Sequence, residues 1–291
     1  MRIHACVLTY RESEMALHAV ASCEGADVAE VWANRAEGPE VASLRQVPGL
    51  RVYASNENLC FADVVNLAAH RAGDAALLFL TNDARLAPGA LDAMKAALVR
   101  DPGLAAVVPV QLRNDDPGTI HHGGGAMEYE RWASIIVAGG EPRAALPMEG
   151  VREVEWVDGA AVLYQPGALA EHPMWNGYRF YWEDVDWGLR CRAAGRRLAV
   201  VDHAAAHHGL SPTTGRFEAW REYLLARNRL ICAGRLCPVE SRKRVVRRIV
   251  TSSLFLAARS PHRVQQRMRL RAAIDFVRGR LDLGSDPELF R

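Results

Sequence analysis

The chain is predicted to adopt an α/β fold, a Rossmann-like and mostly parallel sheet flanked by helices, followed by a C-terminal helical extension. Two observations carry this. From residue 2 to about 110, short apolar runs alternate with segments of helical period, which is the pattern of right-handed βαβ units. In addition, 291 residues with 49% hydrophobic content are enough to bury a full core.

Each element follows in turn. "IHACVLT" reads as a strand, "ESEMALHAVAS" as a helix, "VAEVWA" as a strand, "VASLRQV" as a short helix and "LRVYAS" as a strand. Then come a helix in "FADVVNLAAHRAG" closed by Gly73, the strand "AALLFLT", a helix opening at Pro88 and the strand "LAAVVPV". Beyond residue 110 the polar, glycine-rich "NDDPGTIHHGGGAMEYERW" breaks the rhythm, and "VREVEWV" alternates as a half-buried strand does. A less regular, mixed second half is expected there. In "FYWEDVDWGLRCRAAG", Val185, Leu189 and Ala193 recur every four residues, so a helix is expected from near Asp184 to Gly195. From about Pro238 to Leu283 the chain becomes helical and basic. Packing on the main domain explains its apolar positions; an anionic lipid or acceptor face at residues 240–280 is the sharper alternative.

Composition narrows the function. With 36 basic and 34 acidic residues the formal net charge is +2, so the chain as a whole does not advertise a polyanionic partner, and no nucleic acid is expected. Cys6, Cys23, Cys60, Cys191, Cys232 and Cys237 form no CxxC pair, which points to reduced, buried thiols. No apolar segment approaches the length of a membrane span, and a cytoplasmic location is expected. There is no glycine-rich turn after the first strand and no Walker A sequence. "HHGGG" at His121 to Gly125 resembles an esterase oxyanion loop, but no GxSxG accompanies it.

What remains is a set of polar residues at strand ends, where ligands bind in such sheets. "LLFLTND" ends with Asn82 and Asp83, offering a carboxylate to a metal-bound diphosphate, although a strand-terminal Asp is also an ordinary turn residue. The acids Glu183, Asp184 and Asp186 either complement a helix dipole or, flanked by Trp182 and Trp187, line a pocket. His208, beside the competing His207, follows the strand "LAVV", and "GLSPTTGR" after it is suited to closing over a substrate.

Together these residues resemble the family 2 glycosyltransferases of the GT-A fold, particularly the bacterial rhamnosyltransferase-like group, over roughly residues 3 to 230. The similarity lies in "VLTY", in "NLCFADVVN" with Asn58, Phe61, Ala62 and Asn66, in "TND", in "DGAAVL", in Glu183, Asp184, Asp186 and Arg190, in His208, and in Arg227 with Asn228. Three departures stand out: Cys60 where glycine is usual, Ala33 beside Asn34 where an aspartate is common, and Thr81 in place of a first acid. The resemblance implies a catalytic domain over 1–230, its nucleotide-binding half at 1–110 and its sugar- and acceptor-binding half at 111–230, followed by a basic extension over 231–291. It implies inverting transfer of a sugar from a nucleotide-diphosphate donor, such as a UDP- or dTDP-sugar, with Asp184 as general base. Thr9, Tyr10, Asn34, Asn58, Phe61, Asn66, Asn82, Asp83 and Arg227 would bind the donor. Gly159, Trp182, Glu183 and Asp186 would shape the sugar and acceptor pocket, and Asp83 and His208 would hold a weakly required Mg2+ or Mn2+. The acceptor hydroxyl would belong to a natural product, a lipid-linked sugar or a polysaccharide. Two alternatives stay open: a catalytically silent nucleotide-sugar binding protein of the same fold, and a basic module for membrane or nucleic acid.

Overall fold

A computed structural model describes residues 1–10, 12–35, 38–209, 218–260 and 263–280. The expected "GLSPTTGR" closing loop lies, but for its first residue, outside them. The first half alternates as its sequence does: β1 (Ile3–Tyr10), α1 (Ser13–Ala21), β2 (Val28–Asn34), α2 (Pro39–Arg45), β3 (Arg51–Ser55), α3 (Phe61–Ala72), β4 (Ala76–Thr81), β5 (Ala84–Leu86), α4 (Ala90–Arg100) and β6 (Leu104–Arg113). The second half is shorter-paced: β7 (Ile120–His122), β8 (Gly125–Glu128), β9 (Ala133–Ile136), β10 (Val151–Val154), β11 (Ala161–Tyr164), α5 (Ala168–Glu171), α6 (Glu183–Ala193) and β12 (Arg197–His208). Three helices close the described chain: α7 (Glu218–Leu236), α8 (Val239–Arg259) and α9 (Val264–Val277). The boundary expected at residue 230 falls inside α7, whose Leu230, Ile231 and Ala233 are buried against Trp132, Trp156 and Trp182 of the preceding half.

The main sheet runs β10-β12-β6-β11-β4-β1-β2-β3. β3, β2, β1 and β4 are mutually parallel, as expected of βαβ units. The mixed second half arises because β11 inserts antiparallel between β4 and β6. Parallel pairing places the ends of β1, β2, β3 and β4 along one edge, with Tyr10 beside Asn34, Asn34 beside Ser55 and Leu8 beside Thr81.

Both faces of the sheet are covered. One carries Ala16, Leu44, Met94 and Leu98 from α1, α2 and α4; the other carries Val64, Val65, Ala68 and Trp187 from α3 and α6. All six cysteines are free and buried, in agreement with the sequence. No helix among the described residues is long and apolar enough to cross a membrane.

One charge sits inside this packing. Glu30 on β2 is fully buried and receives Arg71 Nε at 3.0 Å and Trp32 Nε1 at 3.1 Å, with His4 Nε2 in ion-pair contact at 3.0 Å. Burial works against the carboxylate, but the contacts from His4, Arg71 and Trp32 outweigh it and hold its pKa below the ordinary glutamate value. Its stabilisation is therefore present above the unfolded glutamate pKa and lost as pH falls through the lowered one. Glu30→Ala, which leaves Arg71 and His4 without their partner, is expected to cost about 3 kcal/mol, read by urea unfolding at neutral pH.

The "HHGGG" stretch has a packing explanation. A Cβ on Gly125 would lie 2.2 Å from the Trp156 ring, and one on Gly124 would lie 2.5 Å from Val154. His122 is buried, accepts the Gly124 N–H on Nδ1 at 3.1 Å, and meets Trp156 edge-on. Its imidazole is pushed down to about 4 by burial. The glycines let the β7–β8 connection approach aromatic and β-branched side chains closely.

Candidate active site

The strand ends supply the first group of residues. Asn82, just after β4, donates from Nδ2 to Thr9 Oγ1 at 3.1 Å and to Glu12 Oε2 at 3.0 Å, while Thr9 donates to the Glu12 carbonyl at 2.9 Å. One strand over, Asn34 donates to Asn58 Oδ1 at 3.2 Å and to the Leu59 carbonyl at 2.8 Å. Thr9, Tyr10, Asn34, Asn58, Asn82 and Asp83 thus line the common edge of β1, β2 and β4, where the sequence placed the donor.

Beside them lies an acid–imidazole pair. Thr81 donates to Asp83 Oδ1 at 2.6 Å, leaving Oδ2 to face His208 Nε2 at 3.5 Å. The other ring nitrogen, Nδ1, lies 3.2 Å from Gln111 Oε1, and Gln111 Nε2 donates to Asp158 Oδ1 at 3.2 Å. Because a carboxylate only accepts, Gln111 must present its amide nitrogen to Asp158 and its oxygen to His208. His208 therefore carries hydrogen on Nδ1, and its Nε2 lone pair points toward Asp83 when the ring is neutral. Strand alternation turns His207 to the opposite face, so His208 is the histidine at this site. Burial disfavours charge on both partners. Their mutual contact outweighs it, holding Asp83 below and His208 above their ordinary ranges. His121 meets His208 edge-on at 4.6 Å. A cleft of about 440 Å3, lined by Arg113, Asn114, Asp115, His121, His208 and Gly209, opens on the His208 side of this pair.

An oxygen and an imidazole nitrogen facing each other within 3.5 Å suit a divalent cation that takes few protein ligands and completes its shell with phosphate and water. The Gln111 bond supplies the outer-shell contact that such a histidine ligand requires. Among the described residues no group of three His, Cys, Asp or Glu side chains forms a self-sufficient metal cage.

The second group sits at the start of α6. The helix begins at Glu183, one residue earlier than its apolar spacing predicts, and Trp182 before it adopts φ 77°. Arg179 and Tyr181 also have positive φ, 70° and 67°. Three such non-glycine residues in one short loop are costly and persist only under external constraint. The constraint comes from Asn228 on α7, fully buried, whose Nδ2 lies 3.1, 2.7 and 2.9 Å from the Tyr178, Phe180 and Tyr181 carbonyls. Arg227 donates to Asn228 Oδ1 at 2.5 Å, fixing the amide in that orientation.

Three carboxyls then have separated roles. Asp158 accepts the Ala160 N–H at 2.8 Å as well as Gln111. Burial opposes its charge, yet His122, His208 and those donors keep it below the ordinary range. Glu183 is buried, its Oε2 has no partner, and burial and the Asp184 charge push it well above the carboxylate range. Asp184 is raised to about 7 by burial and by Asp158, against the Val185 and Gly159 amides that favour its anion. Environments that drive neighbouring acids apart in this way are characteristic of acid–base sites. Gly159 is fixed by Phe61, whose ring would lie 2.4 Å from a Cβ there, so Phe61 shapes this site through packing.

Other expected residues stand elsewhere. Asn66 accepts the Met174 N–H at 2.9 Å and donates to its carbonyl at 2.8 Å, tying α3 to the loop before α6. Asp186 is fully buried and bonded to Tyr178 Oη at 2.9 Å and Arg190 Nε at 2.6 Å, so its oxygens serve the helix and not a pocket. Trp182 is in the hydrophobic contact with α7, and Arg227 supports the α6 loop through Asn228. Sequence reasoning assigned no role to Glu12, Gln111, Asp158 or Asn228. Asp158 immediately precedes Gly159 in "DGAAVL", and Asn228 follows Arg227 in the "RN" pair.

No protein-family model matches the chain. Over 203 residues, 62% of its length, it is 27% identical to the N-acetylglucosaminyl-diphospho-decaprenol L-rhamnosyltransferase of Mycobacterium tuberculosis, of which the match spans 65%. In structure it is similar to the mannosyltransferase PcManGT from Pyrobaculum calidifontis in complex with GDP-Man and Mn2+, with TM-score 0.59, 13% identity, and 95% of this chain and 87% of that one covered. It is also similar to GalNAc-T7 with UDP, GalNAc and Mn2+, with TM-score 0.58, 12% identity, and 83% and 53% covered. The chain shares the GT-A fold of these glycosyltransferase structures and is similar in sequence to a rhamnosyltransferase.

Proposed function

We propose that the chain is an inverting glycosyltransferase that moves a hexosyl or deoxyhexosyl group from a nucleotide-diphosphate donor to an acceptor hydroxyl. The observation that carries this reading is Asp184, whose carboxyl is raised to about pKa 7 by burial and by Asp158, itself joined through Gln111 to His208 of the Asp83–His208 pair. A base working at neutral pH needs such a pKa. In the proposed step the acceptor oxygen attacks the anomeric carbon from the face opposite the diphosphate, Asp184 takes the hydroxyl proton, and the glycosidic bond to the diphosphate oxygen breaks. Attack opposite the leaving group inverts the anomeric centre. Asp158, kept ionised, raises the basicity of Asp184 through its charge. Glu183, kept neutral, retains a proton to donate to a sugar hydroxyl.

Thr9, Tyr10, Asn34 and Asn58 are assigned to the nucleoside end of the donor, and Asp83 and His208 to its diphosphate. A divalent cation held by Asp83 and His208 would offset the charge that develops on the leaving diphosphate. The Mn2+ complexes of the two structural neighbours favour Mn2+ as the first ion to test. The relative's lipid-linked substrate favours a lipid-linked sugar as acceptor over a soluble natural product.

A thermal-shift panel of UDP, dTDP and GDP, each with and without Mn2+, tests the donor reading, since a ligand of the folded state raises Tm by mass action. One nucleotide is expected to raise Tm in a Mn2+-dependent manner; a panel with no shift contradicts the proposal. Asp83→Asn and His208→Ala are each expected to weaken Mn2+ by about 10–100-fold in the same assay. Retention of wild-type Mn2+ affinity by both variants would remove the cation from these residues.

A further inference from the structure

Helix α8 divides its outer face in two. At about 100° per residue, its buried line is Val245, Ile249, Ser253 and Ala257. Opposite that line, the first half carries Lys243, Arg244 and Arg247, while the last two turns carry Leu254, Phe255 and Ala258. Leu254 and Phe255 are 49% and 57% exposed, and Val264, on the first turn of α9, is 44% exposed. The Arg263 N–H donates to the Ser260 carbonyl at 3.2 Å, so the end of α8 and the start of α9 meet in one corner. Around it stand Arg259, stacked over the Phe255 ring at 4.9 Å, and the exposed Arg263 and Arg267.

The charges decide what covers this corner. α8 contains six basic residues and one acid, Glu240. Among the described residues, Lys243, Arg244, Arg247, Arg263 and Arg267 have no ion-pair partner, whereas Arg248 pairs with Glu130 at 3.6 Å. A second copy docked tip to tip would bring these like charges together, and a nucleic-acid backbone offers nothing to exposed Leu254 and Phe255. An anionic bilayer satisfies both halves at once, the acyl boundary taking the apolar turns and the phosphates taking the cations.

We propose that the end of α8 and the first turn of α9 form a membrane-docking tip, in which Leu254, Phe255 and Val264 enter the headgroup–acyl boundary of an anionic bilayer and the surrounding arginines and Lys243 face its phosphates. The proposal is independent of the transfer reading, because binding is measured without donor or acceptor.

The test is co-sedimentation of the full chain with phosphatidylcholine vesicles, with and without about one third phosphatidylglycerol. Anionic vesicles are expected to bind at least about tenfold more tightly than neutral ones, and binding should weaken as salt is raised. The double variant Leu254→Ser, Phe255→Ser is expected to lose at least about tenfold in vesicle binding with its Tm unchanged, both side chains being exposed. Lys243→Glu with Arg247→Glu is expected to abolish the preference for anionic lipid. Absence of binding to anionic vesicles overturns the proposal, as does binding that the serine variant leaves intact. A dimer in sedimentation velocity that Phe255→Ser dissolves would also overturn it, by assigning the tip to a second copy.

Discussion

Asp184→Asn is expected to lower sugar transfer by about 10^2–10^4-fold, the usual contribution of a positioned general base, while nucleoside-diphosphate affinity stays within about twofold. The amide keeps the shape of the side chain at the start of α6 but has no site for the acceptor's proton. The substitution also has a stability signature. Burial and Asp158 raise the Asp184 pKa to about 7, so the folded state holds this proton more tightly than the unfolded chain does. Stability is therefore lost progressively as pH rises from the unfolded aspartate value of about 3.9 towards 7. Asparagine carries no such charge. The Tm of Asp184→Asn should exceed that of wild type at pH 8, and the gap should close towards pH 4. A variant that is inactive merely through misfolding would show the opposite difference at pH 8.

Asn228→Ala is expected to combine a loss of about 3 kcal/mol in stability with a fall in kcat of about 100-fold, although Asn228 is assigned no contact with substrate. Its amide is the constraint on Arg179, Tyr181 and Trp182 in their positive-φ conformations, and the Tyr178, Phe180 and Tyr181 carbonyls would be left without it. Once the loop relaxes, Glu183 and Asp184 no longer face Asp158 and the Gly159 amide as they do here. The midpoint of the pH–rate profile should then fall towards the ordinary aspartate range, because the Asp184 pKa depends on that burial and that neighbour. A purely structural role would lower stability and leave the midpoint in place. KM for the donor should change little, since Thr9, Asn34 and Asn82 rest on the sheet edge and not on this loop.

These two residues mark the limit of what the sequence makes legible. The βαβ half follows from local pattern: "AALLFLT" and "FADVVNLAAHRAG" are long enough runs, with clear closing signals, to be assigned without tertiary information. Strand ends then point to Thr9, Asn34, Asn82 and Asp83, because parallel pairing brings them to one edge. The antiparallel insertion of β11 between β4 and β6 was not accessible, since pairing partners are a long-range property and "AVLY" is equally compatible with either direction. Polar side chains were harder still. Asn66 and Asp186 sit in motifs that resemble donor and acceptor sites, yet both are bonded to groups that organise the fold, Met174 and the pair Tyr178 and Arg190. Gln111 and Asp158 act through a bonded chain reaching His208 across 97 residues, and no spacing rule connects them. Thr81, read from sequence as a lost ligand, instead donates to Asp83 Oδ1 and orients the other oxygen toward His208.

The most direct test of the central claim, that Asp184 is the base of a nucleotide-sugar transferase, is the pH dependence of kcat for sugar transfer at saturating donor and Mn2+. A single rising limb with its midpoint near pH 7 is expected, as the carboxyl gives up its proton and becomes the acceptor of another. A rate independent of pH from 5 to 9, or one that falls across that range, would contradict it.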